Sequence, residues 1–258
     1  MLTSLLHRLS LRPELRQVGI DRLVPTSFGQ LGEDAVIDNH LGWLGLSANL
    51  PGIYLDIGAH HPTRGSNTYR FYRRGAHGIA VDIGDRKEQL WRRVRPRDRF
   101  VNAAVVPDFW PDSQVTFELS GGYGSATDHV SGYGIVHGQG DASTVSVSAL
   151  RACELVADLL ARRGGVAPWF AAPWRLLNLD IEGLDGQVLH DLQLQSLCPD
   201  VVAVESFLPA HVSNWNKLSW IVQESPVVAA MNEWGYSLQS ICGPTLVFVR
   251  IESKQKVL

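Results

Sequence analysis

The apolar run Ile53-Tyr54-Leu55-Asp56-Ile57 breaks at Gly58-Ala59, and a second run, Gly78-Ile79-Ala80-Val81, ends in the carboxylate of Asp82. Short continuous runs of this composition suit strands covered on both faces. Between them, Ser66 can cap a helix that passes through Phe71 and Tyr72 and stops at Gly75. Asp85 to Arg95 is again helical, and Phe100 to Val106 reads as a third buried strand. This β-α-β-α-β order implies a parallel sheet, because parallel neighbours need a crossover between them. Ligands of such sheets bind outside the carboxyl ends of the strands, where an acid closing the second strand can accept both hydroxyls of a ribose.

Elsewhere, Glu33 to Leu44 has the spacing of an amphipathic helix, with Val36, Ile37, Leu41 and Leu44 as its apolar positions. Val145 to Val147 reads as a short strand and Leu150 to Arg162 as a helix. Leu176 to Asp180 and Val201 to Glu205 are further strands. A helix precedes Gly235, and Tyr236-Ser237-Leu238 with Leu246 to Val249 forms a last two-stranded element. Seven glycines between Ser120 and Ala142 exclude a helix or central strand there. That stretch is either a plain connection or a loop covering the substrate. Residues 1–26 form a basic arm, and 27–258 form one domain.

A chain of 258 residues, 45% hydrophobic and 19% charged, has an ordinary globular composition. Its net charge of -3 gives no footprint for nucleic acid. The one basic run, Arg92, Arg93, Arg95, Arg97 and Arg99, reads as a solvated helix end. Three scattered cysteines, Cys153, Cys198 and Cys242, suggest a reducing compartment. The start, Met1 to Leu11, is a poor signal peptide, and no apolar run reaches the ~20 residues of a membrane span. A cytoplasmic location is therefore expected, with the oligomeric state open.

The identity of the nucleoside turns on the glycines. A dinucleotide site usually carries G-x-G-x-x-G so that backbone can approach a pyrophosphate. Here His60 and Thr63 replace the second and third glycines, and no triphosphate loop of the G-x-x-x-x-G-K-[ST] type occurs. S-adenosylmethionine has a ribose, no phosphate, and positive sulfonium and amino groups that suit an acid such as Asp56 beside Gly58. It is favoured over a nicotinamide cofactor. Asp180 and Glu205 also end strands, so Asp56, Asp82, Asp180 and Glu205 are all expected on one rim.

Four blocks in order resemble the FkbM methyltransferase family: Ser27 to Asp34, Tyr54 to Pro62, Ser66 to Tyr72, and Leu177 to Asp185, followed by Pro199 to Glu205. The resemblance implies an α/β class I methyltransferase (Rossmann-like) fold, with a seven-stranded, mostly parallel sheet whose last strand is antiparallel. It places Asp56 and Gly58 near the methionine part of the donor and Asp82 on its ribose. Asn102 and Ala103 would lie near the adenine. Gln30, Glu33 and Asp34 match a block that leads into the fold and can close over the donor. His60, Asn67 and Thr68 would contact donor or acceptor, although first-turn helix satisfaction equally suits Asn67 and Thr68.

The resemblance leaves magnesium open. Asp180 and Glu205 match the acids that hold it in some O-methyltransferases, and hard oxygen ligands suit the ion. Ser206, however, stands where such enzymes often have a second acid or an amide. Without a metal, Asp180, Glu182 or a histidine among His60, His61 and His211 must take the proton. Trp169, Phe170, Trp174, Trp215 and Trp220 flank the later acids, as core packing or as an acceptor pocket. The expected activity is methylation of a hydroxyl on a sugar or secondary metabolite. A nicotinamide-dependent oxidoreductase and a noncatalytic module on the same fold are the competing readings.

Overall fold

Helices and strands alternate through most of the chain, and the helices fall on both faces of the sheet that the strands build. The computed structural model describes residues 27–46, 50–119, 130–131, 134–135, 143–160, 169–181, 183–206 and 217–251. In order these form α1 (Glu33–Trp43), β1 (Ile53–Ile57), α2 (Tyr69–Arg73), β2 (His77–Asp82), α3 (Asp85–Val94), β3 (Arg99–Asn102) and β4 (Ala104–Val106). Next come β5 (Gln114–Leu119), β6 (Val130–Ser131), β7 (Gly134–Ile135), β8 (Ser143–Arg151), α4 (Ala152–Leu160) and β9 (Arg175–Leu179). The chain continues through α5 (Asp185–Asp191), α6 (Leu194–Leu197), β10 (Val201–Glu205), α7 (Lys217–Gln223), α8 (Pro226–Glu233), β11 (Tyr236–Cys242) and β12 (Thr245–Arg250).

The main sheet has seven strands in the order β11-β12-β10-β9-β1-β2-β3. Only β12 runs against the rest, pairing antiparallel with both β10 and β11. This is the class I methyltransferase fold. The strand order reverses between β1 and β9, so the crevice that ligands use in such sheets opens beyond Ile57 and Leu179. The Tyr236–Leu238 and Leu246–Val249 runs thus form the edge of the main sheet.

Strand alternation separates the packing into two layers. Ile53, Leu55 and Ile57 face the core supplied by α4, α5, α7 and α8. Tyr54 faces the opposite side, where Ile37 and Leu41 of α1 and Phe71 and Tyr72 of α2 cover it. Trp91 of α3 closes the same side over Ala80. Trp169 and Trp174 are buried in these cores, and their indole N–H groups bond the Leu197 and Leu50 carbonyls. Both are structural, whereas Trp215 lies outside the described residues.

Three expectations change. The Phe100–Val106 run is two strands. After Asn102 the chain leaves the main sheet, and Ala104–Val106 pairs parallel with β8 in a separate three-stranded sheet. The second change is that Val145–Val147 is only the centre of the nine-residue β8, which pairs with β5, a strand not expected from the sequence. The third concerns Arg95, which is 0% exposed rather than solvated. Asp98 supplies its counter-charge at 2.6 Å, and Trp91 and Tyr72 stack on its guanidinium. Among the other arginines, Arg92 pairs with Glu88, Arg99 with Asp158, and Arg97 donates to the Tyr72 carbonyl.

Candidate functional site

Parallel register fixes which acids can meet. Asp56 pairs with Ala80 and Asn178, and Asn178 pairs with Ala203. Two residues further along each chain stand Asp82, Gly58, Asp180 and Glu205. Side chains two apart share a face, so these four positions form the last row on one side of the sheet. Gly58 is forced by that row. Its φ is +79°, and a Cβ there would sit 1.6 Å from the Asp180 carbonyl oxygen. The close approach that demands glycine is between β1 and β9, and no ligand is needed to explain it.

Asp56 is one row below the rim and 1% exposed. Its carboxylate accepts from Thr68 Oγ1 and from Asn178 Nδ2 at 2.9 Å. Burial pushes its pKa up, while the Arg95 charge and those two bonds oppose the shift. Thr68 in turn accepts from Arg95 Nη2 at 3.0 Å, and Asn67 Nδ2 donates to Asn178 Oδ1 at 3.0 Å. Asp56 and Thr68 are therefore committed to each other, and the acids at the rim itself are Asp82, Asp180 and Glu205. The network has a sequence-silent centre. Arg95 reaches the Tyr54 hydroxyl at 2.6 Å, Ser66 Oγ at 3.3 Å and the Pro62 carbonyl at 3.4 Å, and so braces the whole turn after β1.

Asp180 and Glu205 share a hydrogen bond at the ends of β9 and β10. Burial, then the adjoining Asp180, pushes the Glu205 carboxyl up to about 9. Asp180 is also raised by burial, with the Glu205 bond opposing and Asp82 and His60 contributing smaller, opposite effects. At neutral pH the pair holds one shared proton. Glu205 Oε2 is buried with no hydrogen-bond partner among the described residues. Asp185 caps this loop, accepting from the Ile181 and Gly183 N–H groups at 2.9 Å, and burial raises it to about 6.

His60 is exposed, has a φ of +44°, and lies near enough to Asp180 to act on its carboxyl. A left-handed non-glycine residue stores strain that often marks functional sites. His61 is occupied differently. Its Nδ1 accepts from the Thr63 and Arg64 N–H groups at 3.1 Å, and burial lowers its pKa, so it is a turn-capping residue. Asp82 Oδ1 accepts from its neighbour Ile83 N–H at 2.6 Å, and its Oδ2 meets Lys87. Asn102 Oδ1 accepts from the Gly84 N–H at 2.8 Å, beside the β2 end. Ala103 N–H donates to the Asp82 carbonyl at 3.2 Å, and its methyl is in the core. Glu182 and His211 lie outside the described residues.

The Ser27–Asp34 block lies along the same rim. Asp34 accepts from Ser27 Oγ and, at 2.9 Å, from Phe28 N–H, while Ser66 N–H donates to the Phe28 carbonyl at 2.9 Å. Gln30 lies against Gly65, and Leu31 against Gly243 in the β11–β12 turn. Gly29 crowds Asn67, whose Oδ1 is buried without a hydrogen-bond partner among the described residues. Asp34 and Glu33 are buried and structural, with Glu33 accepting from the Leu31 N–H at 2.9 Å.

Asp180 and Glu205 suit magnesium by chemistry, and without an ion their carboxyls raise each other's proton affinity as a pair. Among the described residues no group of three or more His, Cys, Asp or Glu is placed to hold a metal ion. No helix among the described residues is long and apolar enough to cross a membrane.

Comparison with family models gives no match, and comparison with curated proteins gives none. Among solved structures, the chain is similar to a 1,6-didemethyltoxoflavin-N1-methyltransferase of Burkholderia thailandensis, solved with 1,6-didemethyltoxoflavin and S-adenosylhomocysteine bound. Identity is 13%, the match covers 84% of this chain and 74% of that one, and the TM-score is 0.35. A similarity of that size carries no functional argument.

Proposed function

We propose that this chain is an S-adenosylmethionine-dependent methyltransferase that methylates a hydroxyl of a small molecule, a sugar or secondary metabolite, in the manner of the FkbM family. The observation that carries this reading is the last row of the sheet: Asp82 ends β2 on one side of the strand-order reversal, and the Asp180–Glu205 pair stands on the other. A ribose on Asp82 would place the rest of a nucleoside donor across Gly58 toward that pair. Asn102 and Ala103 flank Asp82 where an adenine would lie, and Gln30 and Asn67 border the opposite side. Asp56 and Thr68 support the turn from below.

The donor supplies an electrophilic methyl group, and the protein aligns the acceptor and manages its proton. With one proton shared between them, the Asp180–Glu205 pair keeps one charge with which to accept another, and burial makes Asp180 a stronger base than an ordinary aspartate. His60 is the second group near this position. Alignment alone can supply ~7 to 11 kcal/mol of the acceleration. The hydroxyl acceptor is supported by the acids and by the sequence blocks, and the buried Trp169 and Trp174 lend it nothing. Magnesium would have Asp180 and Glu205 as ligands only after displacing their proton. Activity that survives exhaustive chelation argues for the proton-holding pair, and loss restored by magnesium argues for the ion.

Calorimetry with S-adenosylhomocysteine tests the donor. Binding by the wild type, weakened roughly ten- to hundred-fold in Asp82→Ala, is expected from losing a charged acceptor of two hydroxyls. Tight NADH binding with no response to S-adenosylhomocysteine would reverse the assignment to an oxidoreductase. Donor affinity without turnover over a wide acceptor panel would favour a noncatalytic module.

A further inference from the structure

Asp82 has both carboxylate oxygens engaged by the protein itself. Oδ1 takes the Ile83 N–H, and Oδ2 takes Lys87 Nζ at 3.0 Å, in an ion pair whose side chains are only 15% and 11% exposed. Lys87 belongs to the first turn of α3, two residues after its start at Asp85. A cation there opposes the helix dipole, so α3 gains nothing from the lysine at that place. Its surroundings are also cationic, since Arg64 and Lys87 both act to lower the pKa of His61 after burial has done so. Among these groups Asp82 is the partner that compensates the lysine charge.

We propose that Lys87 sets the affinity of the donor site by holding the Asp82 carboxylate that the ribose hydroxyls would take, and by competing with them for it. The inference rests on the donor reading above. The ribose must draw the carboxylate away from a half-buried ammonium, so part of its hydrogen-bond energy is offset. The lysine field further opposes a donor whose sulfonium is positive, while the neutral thioether product escapes that part of the penalty. Lys87 therefore also narrows the preference of the site for donor over product.

The test is titration calorimetry of S-adenosylhomocysteine and S-adenosylmethionine into wild-type, Lys87→Met and Lys87→Arg proteins, with thermal unfolding as a check on folding. Lys87→Met should bind both ligands more tightly, about two- to five-fold as expected for a partly exposed ion pair, with the larger gain for S-adenosylmethionine. Lys87→Arg retains the competitor and should not gain. Equal or weaker binding by a folded Lys87→Met would overturn the competition and show the lysine as an aid to the ligand. If neither wild type nor Lys87→Met binds either ligand, the donor reading fails and takes this inference with it.

Discussion

Arg95 and Gly58 show how far one residue can decide the shape of a site. Arg95 is buried with Asp98 and bonds three side-chain oxygens around the turn after β1. Replacing it with methionine leaves Asp98 charged and buried, and breaking such a pair costs about 3 to 5 kcal/mol. Arg95→Met is therefore expected to lose that much stability in urea unfolding. The double substitution Arg95→Met with Asp98→Asn should recover part of it, and additive losses would show that the pair is not the reason. At Gly58, both the positive φ and the Asp180 carbonyl exclude a methyl group. Gly58→Ala should cost more than the ~1 kcal/mol typical of a glycine substitution, and a urea midpoint near wild type would contradict the close strand contact. Neither consequence could be read from the sequence, where Gly58 resembles a ligand glycine and Arg95 one member of a basic run.

At the scale of elements, the Ser27–Asp34 block is folded back on Asp34, the first-turn acid of α1. Its carboxylate takes Ser27 Oγ and Phe28 N–H, with Arg70 at 3.9 Å. Hydrogen bonds to a charged group are worth about 1.5 to 3 kcal/mol each, so losing both in Asp34→Ala should lower stability by about 3 to 6 kcal/mol. It should also expose the block to limited proteolysis around Phe28, as mass spectrometry of the fragments would register. Unchanged cleavage would mean that the Phe28–Tyr69 edge contact at 4.9 Å and the Ser66 bond suffice to hold it. Strands of the main sheet were legible because their apolar runs are long enough to cross a covered sheet. The β3–β4 break was not, because Asn102 alone interrupts the otherwise apolar Phe100–Val106 run, and the partner strand β8 decides where pairing changes.

Across the whole molecule, the rim carries a pH dependence opposite to that of paired surface acids. Raised carboxyl pKa values mean that the folded state holds protons more tightly than the unfolded chain. The associated stability is complete below the ordinary carboxyl range and is lost as pH rises through the folded value. Asp185 reaches about 6 and Glu205 about 9, so the wild type should weaken steadily between about pH 4.5 and 9. Glu205→Gln should flatten the upper part of that curve in urea titrations. An identical slope in wild type and variant would show that Glu205 does not hold the shared proton.

The sequence by itself determined the alternation of strands and helices, hence a parallel sheet, and placed acids at the ends of β2, β9 and β10, because periodicity and composition act locally. Tertiary structure alone decided their partners. Register put Asp56 a row beneath the rim against Asn178, brought Asp180 and Glu205 within reach of one proton, and set Lys87 on Asp82. Each of these depends on which strands and helices become neighbours, and burial then converts that adjacency into charge and proton affinity.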